Sequence, residues 1–76
     1  MDKIYDILAE LRQEFDYHSS SDFIADGMLD SFDIITLVTE LEEGFGILID
    51  ALDIVPENFC SAEAIAGVVS KNGGTL

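Results

Sequence analysis

The sequence predicts an all-α fold: a small four-helix bundle of three longer helices and one short helix, with a long first loop. Three observations predict it. Residues 2–15 carry apolar side chains at helical spacing, residues 31–45 repeat that spacing, and a serine-capped, alanine-rich segment closes the chain. Antiparallel helices that each bury one such stripe pack into a bundle. The 76 residues suit a single domain, 1–76, ordered over about 2–70 and expected to fray in its tail over 72–76.

In "DKIYDILAELRQEF" (2–15), Ile4, Ile7, Leu8, Leu11 and Phe15 fall on one helical face, and Asp2 is placed to cap its start. The period fails in "DYHSSSDFIADGML" (16–29). Ser19 to Ser21 mark a loop there, and Phe23, Ile24, Met28 and Leu29 are expected to pin it. Loops of this length inside a compact domain are often functional. Periodicity returns in "SFDIITLVTELEEGF" (31–45), where Ile34, Leu37, Val38, Leu41 and Phe45 form a core stripe and Gly46 follows as a natural terminator. The stretch "ILIDALDIV" (47–55) is ambiguous: Ile47 and Ile49 alternate as in a short strand, yet no partner strand is evident. Pro56 suits the start of a short helical turn in "PENF". Ser61 is the expected N-cap of "AEAIAGVVSK" (62–71), with Ile65, Val68 and Val69 turned inward.

Charge narrows the function. Sixteen acidic residues face three basic ones, a net charge of −13, and no Lys or Arg occurs between Gln13 and Ser70. Nucleic acid is not an expected partner, because its binding rests on neutralising phosphates with basic side chains. Anionic membrane surfaces are disfavoured for the same reason. The 49% hydrophobic content, with charges scattered among apolar positions, points to a folded acidic domain and not a disordered acidic tail. Such a field favours basic partner surfaces and speeds encounters with them. Cys60 is the only cysteine, so disulfide staples are absent and a reducing compartment is expected. No apolar run approaches the roughly 20 residues of a membrane-spanning helix, and no basic-then-apolar signal opens the chain. A cytoplasmic monomer without membrane insertion is the expectation.

The stretch "GMLDSFD" (27–33) sets two capping residues side by side, where a helix start needs one. Ser31 is either the cap or, if Asp30 caps, the first helical residue with a free hydroxyl near amide groups that favour an anion. A catalytic serine is poorly supported. There is no G-x-S-x-G turn, His18 is the only histidine and lies in a polar stretch, and no lysine stands nearby as a base. Beside the core stripe, Phe32, Ile35 and Thr39 lie along a second line of the same helix, with Thr36 and Glu43 near it. Phe32 and Ile35 either tuck under the long loop or form a docking face, apolar in the middle with an acidic rim of Asp33, Glu40, Glu42 and Glu43.

Residues 22–33 also match part of a calcium-loop pattern through Asp22, Asp26, Gly27 and Asp30. Ile24 stands where an oxygen ligand is needed, and Asp33 replaces the longer bidentate Glu. No cysteine/histidine zinc pattern occurs. No metal site is therefore assigned.

The segment "DGMLDSFDIITLVTELEEGFGI" resembles the modification-site segment of acyl carrier proteins. That family places a D-S dipeptide at the start of its second helix, followed by a large apolar residue and an acidic helix that ends in phenylalanine. The resemblance covers about residues 2–70. Within the superfamily the chain is most similar to D-alanine carrier proteins, through "LDSF", "FGILI" and the length from Phe45 through "PENFCSAEAI" to Ile65. It departs from that subgroup at Asp50, where proline is usual, at Asp33, where a small residue is common, and at Ala62, where a proline often follows.

The resemblance implies a carrier and not an enzyme, with no catalytic residue of its own. A phosphopantetheinyl transferase would attach 4′-phosphopantetheine to Ser31, within a motif that Asp30 completes as helix cap. An adenylating ligase or other acyl-loading enzyme would charge the arm's thiol. An acyltransferase, membrane-bound in the D-alanine version, would receive the cargo for teichoic-acid modification. Discrete carriers of fatty-acid, polyketide or nonribosomal peptide synthesis are the nearest alternative. The docking residues would be Phe32, Asp33, Ile35, Thr39, Glu42 and Glu43. Cys60 is expected to be a small core hydrophobe beside Phe59. The rival of a different class is an acidic helical adaptor with no prosthetic group, in which Ser31 only caps.

Overall fold

The computed structural model describes residues 2–76, which form three α-helices and three single 3₁₀ turns. The helices are α1 (Asp2–Leu11), α2 (Ser31–Phe45) and α3 (Ala62–Lys71). No strand occurs among the described residues. The fourth, short helix of the expected bundle is a 3₁₀ turn, Pro56–Asn58, and a second such turn, Ala51–Asp53, occupies the ambiguous stretch. Proline at the start of the first of these presets φ, and too few residues follow before Phe59 turns inward for an α-turn to propagate.

The helix α1 packs against both α2 and α3, and α3 also packs against the Pro56–Asn58 turn. The predicted stripes face inward: Ile4, Ile7 and Leu8 from α1, Ile34, Leu37, Val38 and Leu41 from α2, and Ile65, Val68 and Val69 from α3 are all buried. Gly44 lets α1 and α2 close up, because a Cβ there would lie 3.1 Å from Ile7 Cδ1. Gly46 ends α2 at φ 66°, the left-handed conformation that an L side chain resists, with its N–H bonded to the Glu42 carbonyl.

The helix α1 is shorter than the spacing predicts. It stops at Leu11, and the chain turns through Arg12 to Asp16 into a 3₁₀ turn, Tyr17–Ser19. Phe15 still reaches the core as a partly buried neighbour, so its place in the helical series is met by a turn and not by a helix. Asp2, expected to cap α1, is its first described helical residue. The long loop is pinned as expected by Phe23, Met28 and Leu29, all buried, with Ile24 partly so. Tyr17 joins them at 3% exposure, its ring edge-on to Phe23 with 5.1 Å between centroids. The Phe23 N–H donates to the Cys60 carbonyl at 2.6 Å and fastens this loop to the segment before α3.

That segment is fastened in turn. Asp53, 7% exposed, accepts hydrogen bonds from Lys71 Nζ at 2.7 Å and from Asn72 Nδ2 at 3.4 Å. Asn72 also bonds the Val68 carbonyl, and the Gly74 N–H bonds that of Val69. Residues 72–74 of the tail expected to fray are thus tied to the end of α3. Cys60 is only partly buried, with Phe59 alone of the pair in the core. Its Sγ lies 3.3 Å from the Glu57 carbonyl, in a turn that faces outward before α3 begins.

Candidate functional site

The start of α2 resolves the choice between two caps. Asp30 sits in extended backbone at φ −118° and its Oδ1 accepts the Asp33 N–H at 2.9 Å. Asp33 Oδ2 reaches back to accept the Asp30 N–H at 3.1 Å. This reciprocal pair is a capping box built from two aspartates, in place of the usual hydroxyl residue and glutamate. Ser31 is therefore the first residue of the helix, exposed, with its hydroxyl outside the cap. At a helix start the first amides lack intrahelical acceptors, and the dipole of α2 favours negative charge there.

Ser31 lies where two shallow grooves meet. One, of 320 Å³, runs toward the long loop along Ile24, Gly27 and Leu29. The other, of 210 Å³, runs between Ile34 and Ile35 on one side and Ile54 and Pro56 on the other. Pro56 borders both, so the short turn before α3 forms the wall opposite Ser31. The hydrogen bond from Phe23 to Cys60 ties the loop to the segment that follows that turn.

The second stripe of α2 is on the surface. Phe32 is 82% and Ile35 63% exposed, and Thr39 and Glu43 are exposed with them. The reading in which these residues tuck under the loop does not hold: the loop instead buries its own Phe23, Met28 and Leu29 in the core. Glu42 is partly committed, since its Oε2 accepts the Ile49 N–H at 2.9 Å and braces the chain after α2. Asp33 is also committed, at 14% side-chain exposure, to the capping box and to Arg12.

Arg12 is a site residue that sequence reasoning missed. Its Nη1 donates to Asp33 Oδ2 at 3.0 Å, its Nη2 lies 3.5 Å from Glu14 Oε2, and its guanidinium sits over the Phe15 ring. Burial pulls the Arg12 guanidinium down, but Asp33 and Glu14 more than offset this and hold it above its ordinary range. Beneath it, the buried Tyr17 hydroxyl has no hydrogen-bond partner, and burial, with Asp33 second, pushes it above the ordinary tyrosine range. The signal in the sequence was the pair itself, one of three basic residues and an aspartate three positions after a cap. Nothing in the sequence said that they meet.

The aspartates of the calcium-like stretch serve the backbone. Asp22 Oδ1 accepts the Ile24 and Ala25 N–H groups, and Asp26 accepts the Ser20 hydroxyl. His18 is stacked on Tyr5, with 3.7 Å between ring centroids. No helix among the described residues is long and apolar enough to cross a membrane. No protein-family model, curated protein or solved structure matches this chain.

Proposed function

We propose that this chain is a carrier protein that is modified on Ser31 with 4′-phosphopantetheine and presents an acyl or aminoacyl cargo to partner enzymes. The observation that carries the proposal is the division of labour at the start of α2: Asp30 caps, and Ser31 stands exposed beside it with a free hydroxyl. A serine kept only as a cap would be spent on the N2 or N3 amide. The residues around Ser31 suit the group. The unbonded first amides and dipole of α2 favour a phosphodiester, and the grooves toward Ile24 and toward Ile54 leave open space on both sides. When bound, the group supplies a terminal thiol that holds cargo as a thioester.

The chain's own residues would do the rest without making or breaking cargo bonds. Phe32, Ile35 and Thr39 form an exposed patch directly after Ser31, and Glu43 supplies negative charge farther along α2. This face suits a basic partner with an apolar recess, and a contact of this kind is quick to form and quick to release. The partners fitting this reading are a phosphopantetheinyl transferase, an adenylating ligase and an acyltransferase, in the cytoplasm or at its membrane. D-alanine is the cargo that the resemblance of "LDSF" and "FGILI" favours.

Intact-mass measurement after incubation with coenzyme A and a broad transferase tests the proposal. The wild-type chain gains the mass of one prosthetic group and Ser31→Ala gains none. A gain by the alanine variant moves the handle elsewhere. No gain by the wild type leaves the acidic adaptor as the reading.

A further inference from the structure

We infer that Arg12 is a positioning residue for Ser31: it grips Asp33, and through Asp33 the capping box that orients the first turn of α2. The functional half of this inference rests on the carrier reading; the structural half rests on a chain of bonds. Arg12 Nη1 donates to Asp33 Oδ2, and that same oxygen accepts the Asp30 N–H. Asp30 Oδ1 accepts the Asp33 N–H in return. Ser31 lies in the backbone between the two partners of this reciprocal pair. Its orientation is thus set partly from outside its own helix, by a side chain just past the end of α1.

Two features make Arg12 suited to this and not an incidental surface charge. Its side chain is two-thirds covered, at 34% exposure, and is held at three points: the Phe15 ring, Glu14 and Asp33. Its bond to Asp33 is also directional. A carboxylate serving only the Asp30 amide is free to swing about that one bond, whereas a guanidinium donating to the same oxygen closes off that motion. Lys3 and Lys71 are engaged elsewhere, over Phe45 and with Asp53, and do not replace it.

Three variants test the inference: Arg12→Gln, Asp33→Asn and the double variant. Two quantities are read. The first is amide exchange of Asp30 and Asp33 by NMR in the unmodified chain, with the amides of α3 as internal reference. Arg12→Gln should speed exchange at Asp30 and Asp33 about three- to tenfold, the range for one ordinary hydrogen bond lost, and leave α3 unchanged. The second is the rate of mass gain with coenzyme A and transferase, which should fall by a similar factor at both low and high salt. In the Asp33→Asn background the effect of Arg12→Gln should shrink toward nothing, because Arg12 acts through that carboxylate.

Unchanged exchange at Asp30 and Asp33 in Arg12→Gln overturns the inference. So does a rate loss that added salt abolishes, which would make Arg12 a screened charge and not a positioning group. Failure of the wild type to gain mass sinks the carrier reading alone. The exchange measurement then still decides whether Arg12 holds the capping box.

Discussion

Ser31 and Asp30 are neighbours of the same capping class, and the fold gives them different tasks. Asp30 carries the bond to the Asp33 amide, so Asp30→Ala should destabilise the domain by about 0.5–2 kcal/mol. Ser31→Ala should change stability by no more than about 0.5 kcal/mol, as an exposed substitution outside any cap. Denaturant unfolding of both variants checks this, and equal losses would return Ser31 to the cap. Phe32 and Leu37 make a second contrast five positions apart on one helix. Phe32 is 82% exposed and Leu37 fully buried. Leu37→Ala should cost roughly 2–5 kcal/mol. Phe32→Ala should leave the thermal midpoint nearly unchanged and slow transfer to or from a partner. An unfolded Phe32→Ala would mean that the phase of α2 is wrong.

At the scale of elements, the turns between α2 and α3 are held by a polar clasp and not by apolar packing alone. Asp53 takes the Lys71 ammonium and the Asn72 amide, and so joins the Ala51–Asp53 turn to the end of α3. The hydrogen bond from Lys71, with that from Asn72, holds the Asp53 carboxyl below the usual carboxylate range despite its burial. The same bond, with the Asp53 charge, holds Lys71 above the usual lysine range. The signs follow. Asp53 contributes stability above its unfolded pKa and loses that contribution as pH falls through its lower folded value. Lys71 contributes below its unfolded pKa and loses that contribution as pH rises through its raised folded value. The clasp is therefore complete at neutral pH and weakens at both extremes. The thermal midpoint of the wild type should exceed that of Asp53→Asn at neutral pH, and the gap should close as pH falls through the carboxylate range. Parallel pH curves for the two proteins would remove the clasp from the account of acid stability.

Across the whole molecule, the net charge of −13 acts on folding and on encounter in opposite directions. Three ion pairs form among the described residues, and they engage only Arg12 and Lys71 of the basic side chains. Most carboxylates therefore repel one another across a particle of only 28 × 23 × 18 Å. Raising salt from about 0.05 to 0.5 M should raise the thermal midpoint, because the repulsion is screened within a few ångströms. On the proposed carrier function, the same change should slow cargo transfer with a basic partner, and Glu43→Lys at low salt should reproduce the slowing. Transfer that salt does not alter would take the acidic rim out of recognition.

The parts of this protein legible in the sequence are those set by neighbours along the chain. The stripe Ile34, Leu37, Val38 and Leu41, the stop at Gly46, the cap at Ser61 and the turn at Pro56 each depend on residues within a turn or two, and each lies where the spacing puts it. The D-S pair marked the candidate site for the same reason. What the sequence left open depended on groups far apart in the chain. Two caps stood side by side at the start of α2, and Arg12, 21 positions before Asp33, helps hold the box that leaves Ser31 free. Phe32 and Ile35 were apolar under either reading, and only the path of the loop, which does not cover them, left them in solvent. The early end of α1 and the burial of Asp53 against Lys71 are of the same kind. Periodicity records which face of a helix is apolar. Which polar side chain finds a partner across the fold is settled only when the helices pack and the remaining charges must be matched in the space left over.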